Sequence, residues 1–521
     1  MTVVETESGK VSGLPGKGCI AYRGIPFAAP ASGALRFRAP QPVPPWQGVR
    51  AADRFAVATW QEKNPLMGVE EIGDDCLAVN IWVPEGEGPF PVMVWFHGGG
   101  YLAGSPSQLL YNGEQLARTQ NVIVVNAAYR LGAWGYGWFA DLAPSLEADG
   151  NLGLRDQVAA LAWVQRNIGA FGGDPAAVTI FGESAGAFSV ATLLATPSAS
   201  ALFHRAILQS GAGDMVLSPD EASRVAEMLV AALPGDGNAA DKLRRASPKD
   251  VVRAQRSAVK TAVQRGLRRS TPQFGMTFLP VVDGDLLPEV PVNAIAAGCA
   301  RDKILLAGTC RDEWHLFQYA APFNGGASMQ QLRGLGDDDI QRRFLRALPA
   351  HGEAALAAYQ REVTPHAERS KLDWLSAMET DRVFRVPTRR LLDAQVAAGG
   401  SAWGFEFTWE VSAFGVPLGA CHVSDVPFVF GITDTPVGQL FTGGGEAAAA
   451  LSQAVQTIWG GFAAGKAPGW ADWASSGQVR LLGREGGMAD YPGWQDPALP
   501  ALWDEIIGCP AGAPAREPVA G

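Results

Sequence analysis

Cysteine is scarce in this chain of 521 residues. Its six thiols, Cys19, Cys76, Cys299, Cys310, Cys421 and Cys509, are scattered, with no C-x-x-C pair and no Cys/His spacing for zinc. The pattern argues against a disulfide scaffold or a zinc module and predicts free, mostly buried thiols in a reducing compartment. Long apolar runs are missing as well: no stretch reaches the roughly eighteen residues of a membrane span. Met1 to Glu7 has neither the basic nor the apolar region of a signal peptide. A soluble, cytoplasmic protein without a membrane partner is expected. Positive charge is in deficit, with 42 Lys and Arg against 52 Asp and Glu and a net charge of -10, so nucleic acid is not an expected partner. No fixed-period repeat of a solenoid or propeller is present.

What is present is apolar substance, 47% hydrophobic residues, enough for a large core. Short β-like runs at 91–96, 121–126 and 178–181 alternate with helical patterns, and further runs follow at 205–209, 303–307 and 403–409. This alternation predicts an α/β fold with a mostly parallel sheet. Leu154, Val158, Leu161, Val164 and Ile168 recur at helical spacing, with Asn151 placed to cap the helix. Residues 315–400 read as a helical insertion over the sheet's carboxyl edge, where open α/β sheets bind ligands. One domain over 1–508 and a disordered tail over 509–521 are expected.

Gly182-Glu183-Ser184-Ala185-Gly186 follows the run at 178–181 and precedes a small-residue helical stretch. In that context G-x-S-x-G predicts a nucleophile elbow, with the serine on a sharp turn and glycines relieving the crowding. A serine needs a base, an acid to orient it and donors for an oxyanion. Six histidines are available. His97 lies in a glycine cluster before the serine, His204 precedes a strand, His315 adjoins the acid candidates, and His351 and His366 fall in the insertion. His422, in a polar loop after a late strand, is left as the base. Asp312 and Glu313 both follow the run at 303–307, and spacing does not choose between them. His97-Gly98-Gly99-Gly100-Tyr101 predicts a turn of backbone N–H donors, an oxyanion loop; it lacks the lysine and the spacing of phosphate-binding loops.

These motifs together resemble the type-B carboxylesterase family, which includes bacterial para-nitrobenzyl esterases, animal carboxylesterases and cholinesterases. The stretch from Phe171-Gly172-Gly173-Asp174-Pro175 to Gly186 resembles the family's serine signature, and Asp74-Asp75-Cys76-Leu77-Ala78-Val79-Asn80 its second signature, with Ala78 a departure. Tyr22 to Ala28, Leu35-Arg36-Phe37 and Phe203 to Gly211 are similar too. The resemblance implies an α/β-hydrolase fold with Ser184 as nucleophile, Glu313 as acid and His422 as base. It places Gly99, Gly100 and the Ala185 N–H at the oxyanion hole. It implies Ser210 as a supporting serine near the acid and histidine, Glu183 as a carboxylate lining the gorge, an Arg36–Asp74 structural ion pair and a structural His204. Phe274, Met276, Phe278, Trp314 and Phe317 match positions that line the gorge in relatives.

By the same resemblance the activity is hydrolysis of small to medium carboxylic esters through an acyl-enzyme, with no metal or cofactor, in a monomer or weak homo-oligomer. Amide, carbamate and aromatic polyester-fragment hydrolysis would use the same residues. Non-catalytic adhesion modules of this fold have lost the serine or its partners, and here all are present. Cys76 lacks the upstream cysteine that secreted relatives pair with it. The short loop between Trp60 and Asp75 lacks the tryptophan of the cholinesterase choline site, which disfavours a choline-ester specialist. Three glycines before Tyr101 match a wider oxyanion loop that admits tertiary alcohols.

Overall fold

The computed structural model describes residues 2–63, 68–69, 71–265, 276–319, 328–366, 371–413 and 416–507. Phe274, Cys509 and the 509–521 tail lie outside them.

A sheet of eleven strands forms the centre. Seven run parallel, in the spatial order Ile123–Ala127, Phe90–Phe96, Gly173–Glu183, Arg205–Gln209, Ile304–Cys310, Ser401–Phe407 and Gln478–Leu482. Antiparallel strands flank them: Ala78–Pro84, Cys19–Pro26 and Leu14–Pro15 at one edge and Gly487–Asp490 at the other. A small sheet of Val3–Thr6, Gly9–Ser12 and Val49–Ala51 stands apart. This is the mostly parallel α/β architecture expected.

The period of two along a strand explains why the middle is apolar on both faces. Val92, Val94 and Phe96 pack in the core shared with helix Leu152–Asn167, whereas Met93 and Trp95 pack in the opposite core with helix Gly445–Ala463. All five are fully buried. Helices therefore cover both faces, and chemistry is left to the loops at the strands' carboxyl ends.

Two local expectations change. Asn151 precedes helix Leu152–Asn167 but does not cap it. Its side chain instead accepts from Val281 N–H at 2.7 Å and donates to Val281 O at 2.8 Å, fastening the helix start to a distant loop. Asn121 is not strand either: with φ 52° it ends helix Glu114–Gln120 in the left-handed region, which asparagine tolerates, and the strand begins at Ile123. After Ile304–Cys310 come helices Trp314–Tyr319, Met329–Arg333, Asp337–Ala347, Gly352–Glu362, Leu372–Thr380 and Val386–Ala397, the last two joined by a π turn, Asp381–Arg385. Among the described residues no helix is long and apolar enough to cross a membrane. The five described cysteines are free, four of them buried, and burial pushes the Cys76 thiol up to about 12.

Candidate active site

Strand Gly173–Glu183 ends against helix Ala185–Leu194 with Ser184 between them at φ 57°, ψ -125°. A non-glycine residue held there is strained, and close packing holds it. A Cβ on Gly186 would lie 1.9 Å from Phe96 O, and one on Gly182 would lie 2.5 Å from the Gly186 carbonyl carbon. Only glycine lets the helix start pass so close to the neighbouring strand end. Ser184 N–H donates to Gln209 O at 3.0 Å, locking the turn to the next strand.

The two late loops converge on an imidazole. Glu313, fully buried, accepts from Cys310 N–H at 2.8 Å through Oε1, and its Oε2 lies 2.6 Å from His422 Nδ1. Asp312 faces elsewhere, taking Ala420 N–H at 2.9 Å and pairing with Arg311 at 2.9 Å. Of the two carboxylates that spacing left open, Glu313 is the one that touches the histidine, and Asp312 braces its loop. The rings of Phe317 and Phe384 lie 4.8 and 4.9 Å from that of His422, Phe384 being delivered by the π turn.

On the other side His422 Nε2 lies 3.0 Å from Glu183 Oε1, out of line for a hydrogen bond. Among the described residues no hydrogen bond joins Ser184 Oγ to His422. Burial alone would depress the imidazole's pKa, but Glu183, then Glu313, then Asp425 outweigh it and raise it to about 9. Burial raises Glu183 to about 8 against the pull of His422, and Asp425 to about 6. Asp425 is tethered by Gln209 Nε2 at 2.7 Å, and Gln209 in turn by Trp459 Nε1 at 3.1 Å.

The glycine loop lies against the elbow: a Cβ on Gly98 would come within 3.1 Å of Ser184 Cβ. Gly99, Gly100 and Tyr101 all have positive φ, 113°, 62° and 58°. A Cβ on Gly99 would lie 2.0 Å from Ala103 O, so the turn closes on itself. Ala185 is the first residue of the helix after the serine, where N–H groups have no partner inside the helix. His97 is a brace, its Nδ1 2.8 Å from Gly98 O and its carbonyl accepting from Tyr129 OH at 2.6 Å; burial holds its pKa down, at about 4. Gln61 clamps the same loop twice, donating to Gly104 O and accepting from Gly104 N–H, both at 2.8 Å. Neither Gln61 nor the Gln209–Asp425 tether was read from the sequence. Their partners lie 43 and 216 residues away, beyond any motif.

Other expected residues fall as follows. Ser210 is fully buried at φ 56°, its N–H donating to Gly308 O at 2.8 Å, but its hydroxyl has no partner and bonds neither Glu313 nor His422. Arg36 and Asp74 make no ion-pair contact: Arg36 stacks over Trp134 at 4.6 Å and donates to Ala246 O at 2.9 Å, while Asp74 accepts from Trp60 Nε1 at 2.7 Å. Arg36 feels Asp74 only through space. His204 N–H donates to Val178 O at 2.8 Å between strands. His315 meets Leu418 O at 3.0 Å and His351 meets Glu505 at 3.2 Å, while His366 N–H donates to Asp373 at 2.7 Å. Met276 approaches the glycine loop, its Cγ 3.4 Å from where a Gly100 Cβ would be. Phe278 and Trp314 are buried. Among the described residues no group of three or more His, Cys, Asp or Glu is arranged to hold a metal ion.

Residues 1–478 match the model of the carboxylesterase family. The chain is 36% identical over 468 residues to a para-nitrobenzyl esterase of Bacillus subtilis (strain 168), covering 88% of this chain and 89% of that one. It is 32% identical to an acetylcholinesterase of Bungarus fasciatus, covering 82% and 73% of the two chains. Among solved structures, a carboxylesterase of Geobacillus stearothermophilus superposes with TM-score 0.83 at 32% identity, covering 96% of this chain and all of that one. A para-nitrobenzyl esterase superposes with TM-score 0.80 at 31% identity, covering 96% and 99%.

Proposed function

The chain belongs to the carboxylesterase family and is a serine hydrolase of carboxylic esters; from that premise we propose that Ser184, His422 and Glu313 carry the reaction, with the N–H groups of Gly99, Gly100 and Ala185 as the oxyanion hole. The observation that carries the assignment is the 2.6 Å contact between buried Glu313 and His422 Nδ1, on loops that meet the strained Ser184 turn.

In the acylation step His422 Nε2 takes the proton of Ser184 Oγ as the oxygen attacks the ester carbonyl. Glu313 accepts the Nδ1–H, which keeps Nε2 free as the base and stabilises the imidazolium. The carbonyl oxygen, now an anion, is held by backbone donors that the glycine turn and the helix start have already aimed; each such donor is worth about 3 kcal/mol. The imidazolium protonates the departing alkoxide, and water repeats the sequence on the acyl-enzyme. Nε2 must turn from Glu183 toward Ser184 for this, and catalytic hydrogen bonds commonly tighten only once substrate is bound. Met276, beside Gly100, and Phe317, beside the His422 ring, would offer apolar wall to a small ester substrate. The glycine loop supports acceptance of bulky alcohols, because Gly99 and Gly100 carry no side chain beside the oxyanion.

Mass spectrometry after organophosphate treatment tests the reading. A single adduct on the peptide containing Ser184 is expected; labelling elsewhere, or full activity in Ser184→Ala, overturns it.

A further inference from the structure

Behind the loop that carries Glu313 lies a cavity of about 590 Å³, and none of its lining residues belongs to the Ser184–His422 site. It opens between the end of the sheet at Glu406, the helix Leu372–Thr380 and the chain around Trp494. Its lining is strongly unbalanced in charge, with eight carboxylates against three arginines. Two of those arginines are already committed. Arg311 pairs with Asp312 and Glu410, and Arg385 with Asp381 and Glu406. The third, Arg484, is exposed at the rim and lies 4.2 Å over the Trp409 ring. The excess negative charge sits in a concave space with low-dielectric walls, which focuses the field and concentrates cations.

A second observation is independent of charge. Ser376, 1% exposed, lines the cavity, and its hydroxyl has no hydrogen-bond partner. A buried hydroxyl without a partner costs about 1–3 kcal/mol, and an ammonium N–H would satisfy its lone pairs. The carboxylates are spread around the walls and, among the described residues, none cluster as metal ligands. That dispersion suits charges separated along a flexible molecule better than a single ion, and the volume falls in the range of small-molecule sites.

We propose that this cavity binds a linear organic polycation, a diamine or polyamine, with one ammonium at Ser376 and another toward the rim carboxylates Glu485 and Asp490. The wall it would occupy also holds the catalytic loops. Arg385 Nη2 donates to Arg311 O at 2.6 Å, and Asp312 exchanges both backbone and side-chain hydrogen bonds with Ala420 at 2.9 Å, two residues before His422.

Calorimetric titration of the full chain with spermidine at fixed ionic strength tests this, run with and without prior organophosphate blocking of the ester site. One saturable site is expected in both cases. Ser376→Ala, which breaks no internal hydrogen bond, and the exposed Glu485→Gln should each weaken it, the pair by about tenfold. Butylamine, with one charge, should bind more weakly than spermidine. Absence of saturable heat, heat abolished by the organophosphate, or an affinity unchanged in the double variant would overturn the proposal. The binding readout does not depend on which residues hydrolyse esters, so it stands or falls apart from the triad assignment.

Discussion

Glu183 holds its Oε1 3.0 Å from Nε2 of His422, the ring nitrogen that the proposed mechanism needs as a base. The imidazole is therefore pinched between two carboxylates, Glu313 on Nδ1 and Glu183 on Nε2. Burial raises Glu183 to about 8, so its charge is full only above that pH; once ionised it favours the protonated ring, which is the form that cannot accept the serine's proton.

The pH profile follows from that arrangement. With His422 raised to about 9, the neutral base is a minor form at pH 7 and grows as pH rises. We expect kcat/KM for a neutral ester to climb from about pH 7 toward 9, above the ordinary histidine range. Glu183→Gln removes the strongest charge holding the proton, so its limb should move to lower pH. A limb at the same pH in both proteins would show that Glu183 does not set the base.

Replacing Glu313 by Gln keeps the shape of the acid but reverses the polarity of its contact with Nδ1. The imidazole is then held in the wrong tautomer, and kcat should fall by roughly 10⁴-fold. The urea midpoint should move far less than the rate. Asp312→Asn, by contrast, should lower stability through its lost pairing with Arg311 while keeping most of the rate. Steady-state kinetics beside denaturation of both variants checks the division of roles.

Gly186→Ala would drive a methyl to within 1.9 Å of Phe96 O, in a sheet centre that has no room to yield. Destabilisation by about 1–3 kcal/mol or more is expected, together with loss of labelling at Ser184 because the elbow must open. Urea denaturation and organophosphate labelling of one sample measure both effects.

Gln61→Ala would strip Gly104 of two hydrogen bonds in a buried loop. A cost of about 1–3 kcal/mol is expected. The glycine turn, which closes on Ala103 and abuts Gly104, should loosen. The drop should appear mainly in kcat, with KM little changed, because in the proposed mechanism the turn acts on the transition state.

An ester panel tests the alcohol side. Tert-butyl acetate should be hydrolysed in addition to primary acetates, if more slowly, since Gly99 and Gly100 leave the proposed oxyanion loop without side chains. Brisk hydrolysis of ethyl acetate with none of the tertiary ester would remove that expectation.

Much of the frame is written locally. The runs at 91–96, 178–181 and 205–209 became neighbouring parallel strands because short, mainly apolar runs of this kind are stable only when both sheet faces are covered. The glycines around Ser184 were legible for the same kind of reason, since a tight turn leaves its mark in adjacent residues. Asn151 misled because a capping residue and a tertiary tether have the same local pattern, and only the loop at Val281 decides between them. The strand pair at 478–482 and 487–490 carries too weak a pattern to be seen before its partners are known.

Sequence alone determined which residues were candidates for the chemistry: one serine in an elbow, one histidine left by elimination, a carboxylate pair after a strand and a glycine turn. It also determined the alternation that builds a parallel sheet. Tertiary structure decided which carboxylate meets the histidine, that a second carboxylate, Glu183, reaches its other nitrogen, and that Ser210 and the Arg36–Asp74 pair do not make the contacts expected of them. The division has a physical cause. Backbone conformation is set within a few residues by sterics and by the period of burial, whereas a contact between side chains 109 positions apart, as between Glu313 and His422, exists only after the whole sheet has brought two loops to one edge.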